Sequence, residues 1–248
     1  MDAFLYDEFY RIERTHWWSV GMRGVFHMLL ERALGDVPAP RLLDIGCGTG
    51  IALEELGRHG RACGIDLVWA ALAYSKQRDP GLPLVQGDVT RLPIATERVD
   101  AVLAFDVIEH LEDEAAALAE IHRALRPGGV ALINVPAFPS LWSGKDTANH
   151  HRRRYRRPVL RRGLEAAGFR VERITYTNAF LFAPIWCARQ IQRLSRRPWN
   201  STAEYHPASW TNTLLLRLLS FERGLLRLVD LPVGTSVTCV ARRRESPP

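Results

Sequence analysis

The sequence predicts a single α/β domain whose sheet is mostly parallel and carries helices on both faces. From residue 41 to residue 176, short runs rich in Val, Leu and Ile alternate with segments whose apolar residues have helical spacing. Strands separated by helices form βαβ units, in which the strands are parallel and buried on both sides. A chain of 248 residues, 47% of them hydrophobic and 24% charged, is also large enough to bury a full core.

The elements follow in order along the chain. Apolar residues at helical spacing, among them Leu5, Phe9, Val25 and Leu29, predict one or two helices before Pro38. The predicted strands are 41–45, 62–66, 84–86, 99–105, 130–135 and 169–176, and the predicted helices between them are 51–58, 70–77, 113–125 and 161–167.

The pattern changes after residue 177. Leu, Trp and Arg recur at helical spacing, with breaks at Pro198 and Pro207, until a last strand at 235–241. We interpret this region as a helical insertion between the last two strands. The predicted organisation is a helical cap (1–38), a ligand-binding core (41–177), the insertion (178–232), and the last strand with its tail (233–248).

Positive charge is concentrated in the second half of the chain. Residues 1–144 hold 13 Lys and Arg against 20 Asp and Glu, whereas residues 145–248 hold 20 against 7. A basic half is compatible with nucleic acid, an anionic membrane surface or an anionic small substrate. Nearly all of these cations are Arg, so a bias of the coding sequence is an equally good explanation.

Cysteine spacing and hydropathy predict a cytoplasmic protein. The four cysteines are scattered without a CxxC pair, which favours buried thiols in a reducing compartment over disulfides or zinc. The N-terminus carries acids where a signal peptide carries cations. The longest apolar run, 179–188, is about half of the roughly 20 residues that cross a bilayer.

A glycine turn follows the first predicted strand. Gly46, Gly48 and Gly50 permit positive φ and close approach of a ligand, and the following helix presents free N–H groups. The spacing is G-x-G-x-G rather than the G-x-G-x-x-G of dinucleotide binders. Asp44, just before the turn, would repel a pyrophosphate but attract a ligand with an ammonium group.

Two further acids end the next two strands. Asp66 ends the second strand, where a carboxylate can accept both ribose hydroxyls, and Asp88 follows the third, where it can accept from an adenine amino group. Each acid alone is typical of a loop or a helix cap. As an ordered set at the carboxyl ends of strands, the three acids predict a cationic adenosyl ligand.

This constellation resembles the class I S-adenosylmethionine-dependent methyltransferases, of the bacterial type 11 and type 23-like subgroup, over residues 41–177 and the last strand. Leu42–Gly50 resembles their motif I, and Arg126–Val130 resembles the turn before their fifth strand. The resemblance implies a Rossmann-like sheet of seven strands with an antiparallel last strand. It also implies S-adenosylmethionine as methyl donor, with S-adenosylhomocysteine as product. The expected cofactor contacts are Asp44, Gly46, Cys47, Gly48, Gly50, Asp66, Leu67, Asp88, Val89, Phe105 and Arg23.

The segment after the fourth strand is the candidate catalytic segment. His110 is the best general base, because imidazole loses its proton near neutral pH; alternatively, it only bonds a neighbouring backbone group. The run Asp106-x-x-Glu109-His110 resembles the E-x-x-E-H of ubiquinone-pathway O-methyltransferases, where a divalent cation is implied. Asp106 stands where that pattern has Glu, and its shorter side chain reaches less far toward a shared cation. We therefore predict no metal at this segment, with a bound divalent cation as the alternative.

A second cluster, after the fifth strand, is the candidate acceptor site. With His16–Trp18, the segment around Trp142, Asp146 and His150–Tyr155 resembles a bacterial subgroup found with cell-surface glycan and glycolipid machinery. Aromatic side chains are expected to roof the pocket, and Arg23 and Arg154 to hold a carboxylate or phosphate. The predicted acceptor contacts are Trp17, Trp18, Trp142, His151, Arg154 and Tyr155. The alternative is a packed N-terminal helix and a solvated arginine loop.

The insertion has a basic amphipathic pattern. Leucines of 210–231 are interleaved with Arg217, Arg223 and Arg227, which suits an anionic membrane, a dimer face, a substrate lid or core packing. We expect it to cover the acceptor pocket and to touch lipid-linked substrates, at the inner face of the membrane.

The predicted function is O-methylation of a small-molecule, glycan or lipid-linked acceptor. One alternative is a nucleic-acid methyltransferase that uses the arginine-rich half. This alternative is disfavoured because the chain lacks an N-P-P-Y-type motif for exocyclic amines and a catalytic cysteine on the expected strands. Its basic run also lacks the interleaved aromatic residues on which bases would stack. A non-catalytic cofactor-binding protein and, more distantly, a nicotinamide dehydrogenase are also compatible with a glycine turn after a strand.

Overall fold

The computed structural model describes residues 3–195 and 206–245. The break predicted at Pro198 lies outside the described residues. Within the two described ranges, no helix combines the length and the hydropathy that crossing a membrane requires.

Seven strands form one sheet, and the predicted α/β fold is confirmed. Their bounds are β1 Arg41–Ile45, β2 Arg61–Asp66, β3 Leu84–Gln86, β4 Val99–Phe105, β5 Leu125–Pro136, β6 Phe169–Thr177 and β7 Ser236–Arg243. The spatial order is β3-β2-β1-β4-β5-β7-β6. Strands β1 to β5 pair in parallel, whereas β7 is antiparallel to both β5 and β6. The carboxyl ends of β1, β2 and β4 therefore meet at one edge.

The helices cover both faces of this sheet. They are α1 Ala3–Ile12, α2 Trp17–Leu34, α3 Ile51–Leu56, α4 Trp69–Arg78, α5 Glu114–Ala124, α6 Gly144–Ala148, α7 Arg157–Ala166, α8 Phe182–Ser195 and α9 Ser209–Leu225. Helix α7 begins four residues before its predicted start, with Pro158 in its first turn, where a missing N–H costs no helical hydrogen bond. Helices α8 and α9 lie between β6 and β7.

The core has one layer on each face of the sheet. Alternate residues of β4 show this: Val102 and Ala104 pack with α5 and α7, whereas Leu103 packs with α2 and α9. Apart from Asp100, strand β4 is thus apolar, as expected for a central parallel strand. Helix α9 lies directly on α2, where a Cβ on Gly21 would lie 2.2 Å from a methyl group of Leu219.

Strand β5 differs from its predicted bounds of 130–135. It begins at Leu125, which pairs with Val99, and the pairing resumes at Val130 opposite Ala101. Residues 126–129, the predicted turn, are therefore an irregular bulge inside the strand. Gly128 in this bulge has a φ of 76°, a conformation that a glycine adopts without strain.

Candidate active site

The glycine turn between β1 and α3 has the conformation that its sequence requires. Gly46, Gly48 and Gly50 have φ values of 66°, 56° and 82°. A Cβ on Gly46 would lie 2.5 Å from a methyl group of Val107, so a larger residue has no room there. The N–H groups of Gly46 and Cys47 donate to the Ile65 carbonyl, at 2.7 and 3.0 Å, and join the turn to β2.

Asp44 and Asp66 are buried together beside this turn. Asp66 accepts hydrogen bonds from the N–H groups of Gly48 and Val68, at 2.9 and 2.8 Å. Burial, together with the charge of Asp66, raises the pKa of Asp44 to about 8. Two buried carboxylates that disfavour each other's ionisation form a site that a cation would stabilise.

The N-terminal helices are clamped onto the glycine turn. Glu13, at the end of α1, accepts hydrogen bonds from the Thr49 hydroxyl in the turn and from Arg78 of α4. Tyr6 of α1 is buried, and its pKa is raised to about 12 by burial and by the charge of Asp66. Helix α1 therefore lies over the two aspartates. No local pattern revealed Glu13 or Arg78, because their contacts join residues far apart in the chain.

Arg23 has partners within the protein. Its Nε donates to both carboxylate oxygens of Glu55, each at 3.1 Å, and its Nη1 donates to the Glu13 carbonyl at 2.8 Å. The guanidinium is buried under α1. In this arrangement Arg23 holds the two N-terminal helices against α3 rather than presenting a free cation to a ligand.

The remaining predicted cofactor residues lie along the same edge of the sheet. Asp88 is exposed and accepts hydrogen bonds from the N–H and hydroxyl of Thr90, both at 2.8 Å, so it caps a single 3-10 turn. Leu67, next to Asp66, is exposed, and Val89 is buried. Phe105 stacks on Phe26 of α2, with 3.8 Å between ring centroids. The sheet thus brings Asp44, Asp66 and the turn together and places Asp88 one strand away.

A second cluster lies after β4 and β5. Glu109 and His110 are in a single 3-10 turn, 108–110, rather than an α-helical turn, and Asp106 precedes it with a φ of 53°. The Asp106 carboxylate accepts from the Asn134 amide at 2.9 Å. Glu109 has 0% exposure, and neither of its carboxylate oxygens has a hydrogen-bond partner among the described residues.

His151 meets this turn from the other side. Its Nδ1 lies 2.9 Å from the Asp146 carboxylate, and its Nε2 lies 3.9 Å from the Glu109 carboxylate. The rings of His110 and His151 meet edge to face, with 4.8 Å between centroids. Burial and the neighbouring His151 lower the pKa of His110 to about 4, so its imidazole is neutral near pH 7.

Asp146 holds this histidine in place. Arg154 donates to both oxygens of Asp146, at 2.7 and 3.1 Å, and the N–H of Ser143 donates at 2.8 Å. Although burial opposes ionisation, the hydrogen bonds from His151 and Arg154 hold the pKa of Asp146 well below its ordinary value. The sequence placed Asp146 in the cluster but gave it no role, because nothing in the spacing shows that it joins His151 to Arg154.

The predicted acceptor residues have unequal access to a ligand. Arg154 is engaged by Asp146, and Tyr155 is buried with its hydroxyl donating to Glu114. Trp17 and Trp18 pack partly buried against the α2 side of the core. Trp142, half-buried, follows a 3-10 turn at 139–141. The structure therefore gives Arg154 and Tyr155 internal partners, whereas the His151 Nε2 faces the Glu109 carboxylate at 3.9 Å, beyond hydrogen-bond distance.

Glu109, His110 and His151 are near enough to one another to be candidate ligands of one cation. One ligand atom of each lies within 4.8 Å of the others. The hydrogen bond from His151 Nδ1 to Asp146 is typical of a metal-binding histidine, since it leaves Nε2 available. This set differs from the Asp106, Glu109 and His110 of the sequence pattern: His151 takes the place of Asp106, whose carboxylate bonds to Asn134.

Comparisons with known proteins agree with this geometry. Residues 43–133 match the family model described as a methyltransferase domain. A probable S-adenosylmethionine-dependent methyltransferase of Mycolicibacterium smegmatis is 35% identical over 165 residues, which are 65% of this chain and 62% of that protein. A demethylmenaquinone methyltransferase of a Mycobacterium species is 41% identical over 102 residues, 41% of this chain and 44% of that protein. The chain thus spans less than two thirds of the length of these relatives.

The fold has close counterparts among solved structures. The crystal structure of a SAM-dependent methyltransferase from Archaeoglobus fulgidus matches with a TM-score of 0.60 at 19% identity, covering 96% of this chain and 98% of that one. At such low identity the likeness shows the fold alone. That fold is the Rossmann-like one of class I methyltransferases, with its antiparallel last strand.

Proposed function

We propose that the chain transfers the methyl group of S-adenosylmethionine to an oxygen of a small-molecule, glycan or lipid-linked acceptor. The match of residues 43–133 to a methyltransferase domain and the 35% identity to a probable S-adenosylmethionine-dependent methyltransferase support this proposal. The observation that carries this proposal is the buried pair Asp44 and Asp66 beside the glycine turn. A cofactor with an ammonium and a sulfonium group compensates two carboxylates that otherwise disfavour each other's charge.

The second cluster supplies a general base for the acceptor hydroxyl. When bound, S-adenosylmethionine would supply an activated methyl carbon, with its sulfur as the leaving group for attack by the acceptor oxygen. His110, neutral near pH 7, accepts the proton that the hydroxyl loses. Burial and the neighbouring His151 oppose the positive charge that this proton creates, so His110 passes the proton on rather than keeping it. Helices α1 and α2 exclude water from the cofactor side.

As the alternative to a general-base role for His110, the side chains of the second cluster fit a divalent cation. Glu109 is a buried carboxylate without a described hydrogen-bond partner, and a cation bound by Glu109, His110 and His151 would satisfy it. Such an ion would act as a Lewis acid on the acceptor oxygen. Asp146 would then orient His151 from outside the ligand set.

The distribution of the arginines supports a small acceptor over a nucleic acid. Several cations of the basic half are paired with acids inside the protein. The pairs are Arg153 with Glu114, Arg154 with Asp146, Arg173 with Asp230, Arg242 with Glu172 and Arg243 with Glu97. An arginine that already has an internal carboxylate contributes less to a phosphate-binding surface. The charge excess of the sequence therefore overstates the free positive charge.

The direct test is a methyl-transfer screen with labelled cofactor against lipid and sugar-nucleotide extracts. We expect the His110→Asn variant to lower kcat about 10²- to 10⁴-fold and to leave cofactor binding unchanged, because the base acts after binding. Calorimetry with S-adenosylhomocysteine measures the binding. Turnover of His110→Asn equal to that of the unaltered protein would remove the general-base role.

A melting experiment tests the cation. We expect Mg²⁺, Mn²⁺ or Zn²⁺ at millimolar concentration to raise the Tm of the EDTA-treated protein, because a ligand that binds only the folded state stabilises it. The Glu109→Gln variant, nearly identical in shape, is expected to lose that rise. If none of the three cations shifts the Tm of the unaltered protein, Glu109, His110 and His151 do not form a metal site.

A further inference from the structure

The outer face of α9 carries large apolar side chains that the fold leaves exposed. Trp210, Leu214 and Phe221 are 73%, 57% and 59% exposed. Their spacing of four and seven residues places all three on one stripe of the helix, and Arg217 lies on the same stripe between them. We call Trp210, Leu214, Arg217 and Phe221 the outer stripe. Isolated exposed apolar residues are ordinary, but an aligned set marks an interaction surface.

The orientation of α9 is fixed by its inner face, so the outer stripe cannot turn inward. Leu219 is buried against α2. Glu222 is also buried, and its carboxylate accepts hydrogen bonds from the N–H groups of Asn178, Ala179 and Phe180. Rotating the helix would remove these contacts and leave a buried acid unpaired, which is costly.

Neighbouring side chains extend the stripe. The ring of Phe180, also exposed, lies 5.8 Å from that of Phe221. Leu228 and Val229 follow the end of α9 and are exposed as well. The outer stripe therefore belongs to a wider apolar surface formed by α9 and the segments that flank it.

The charges of this surface favour an anionic partner. Arg217 and Arg227 are exposed, and neither has a carboxylate within ion-pair distance among residues 3–195 and 206–245. The nearby acids are already engaged, Asp230 by Arg173 at 2.6 Å and Glu222 by backbone N–H groups. A second copy of this chain docked here would bring like charges together. An anionic lipid surface instead accepts both the aromatic side chains and the arginines.

From these observations we propose that α9 docks the protein on an anionic membrane, with the outer stripe at the level of the lipid headgroups. Trp and Phe side chains enter the headgroup region, and Arg217 and Arg227 pair with lipid phosphates. The helix lies on the bilayer and does not cross it.

Helices α8 and α9 contact segments that carry or flank predicted acceptor residues. Asn212 of α9 accepts from the Trp17 N–H at 2.8 Å and donates to the Thr15 carbonyl at 2.9 Å. On α8, the Phe182 ring lies 5.2 Å from that of Phe138, which follows β5. A lipid-linked acceptor would thus meet the site at the membrane surface; this last step, unlike the docking itself, rests on the proposed methyl transfer.

Vesicle flotation of the full chain, without cofactor, tests the docking separately from any activity. We expect binding to vesicles of phosphatidylcholine with phosphatidylglycerol and at least tenfold less to phosphatidylcholine alone. Each of Arg217→Gln and Arg227→Gln is expected to weaken binding about fivefold, and Trp210→Ser with Phe221→Ser to weaken it more. The matched control is Trp69→Ser on α4, because Trp69 is as exposed, at 69%, but lies outside this surface.

Circular dichroism confirms that each variant is folded before flotation. Absence of binding to the anionic vesicles overturns the proposal, as does an equal loss with Trp69→Ser. A change of oligomeric state in the Trp210 and Phe221 variant, with vesicle binding unaltered, would assign the surface to a second copy of the chain and also overturn it. Vesicle binding without methyl transfer would leave the docking intact and refute the proposed function.

Discussion

Replacing Asp44 by Asn is expected to weaken the binding of S-adenosylmethionine about 10²- to 10³-fold and, at the same time, to stabilise the ligand-free protein. The binding loss follows from removing one partner of a buried charge pair, which leaves the cofactor's cation without its carboxylate. The gain in stability follows from the same burial. Asp44 is buried next to Asp66, so its ionised form is disfavoured in the empty site.

The sign of the pH dependence follows from the direction of the shift. The pKa of Asp44 is raised to about 8 in the folded protein, whereas an unfolded chain has an Asp pKa near 3.9. The contribution of Asp44 to folding is therefore fully present below pH 4 and is lost as pH rises toward 8. We expect Asp44→Asn to unfold with a free energy about 5 kcal/mol higher than the unaltered protein at pH 8, and with little difference at pH 4.

Calorimetry and urea unfolding at the two pH values measure both effects. The matched control is Asp88→Asn, because Asp88 is exposed and caps a single turn, so its loss should change unfolding by about 1 kcal/mol at most. Cofactor binding by Asp44→Asn as tight as that of the unaltered protein would refute the role assigned to the acid pair. A lower stability of the variant at pH 8 would show that ionised Asp44 has a partner in the empty site.

The candidate cofactor site at the glycine turn was predictable because the sequence patterns that indicate it are local. The glycine turn and the three acids each sit at the end of a strand that the apolar pattern reveals, and parallel strands place those ends at one edge. The structure confirms the seven-stranded, mostly parallel sheet with its antiparallel last strand, and the positive φ of the glycines. The sequence could not show that helices α1 and α2 pack over this edge of the sheet. The contacts that hold them there, made by Glu13, Arg23 and Arg78, join segments far apart in the chain.

The cluster of Glu109, His110 and His151 was less predictable, because it too depends on contacts between residues far apart in the chain. His110 and Glu109 follow a recognisable strand, but His151 reaches them from beyond β5 through the short helix α6 and its capping box. A helix of five residues has too little periodicity to be detected. The excess of arginines was equally ambiguous, because a sequence does not show which cations have internal partners. Long-range pairing of charged groups is thus the part of this molecule that sequence patterns leave open.

The Asp146→Ala variant is expected to lose about 3–5 kcal/mol of unfolding free energy, because it leaves the buried Arg154 without its carboxylate. It also removes the capping box of α6 and the hydrogen bond to His151. The matched control is Asp113→Ala, which removes a cap of α5 with no arginine attached and should cost about 1 kcal/mol. Urea unfolding at pH 7 measures all of these variants.

A double variant separates the orphaned charge from the lost hydrogen bonds. Asp146→Ala with Arg154→Met removes both members of the pair, so most of the lost stability should return, since an apolar replacement of a buried ion pair is often nearly neutral. Methyl transfer should not return with it, because His151 still lacks the carboxylate that orients it. Stability that fails to recover would place the cost in α6 rather than in Arg154. Activity that recovers with stability would show that Asp146 serves the fold and that His151 needs no orienting acid.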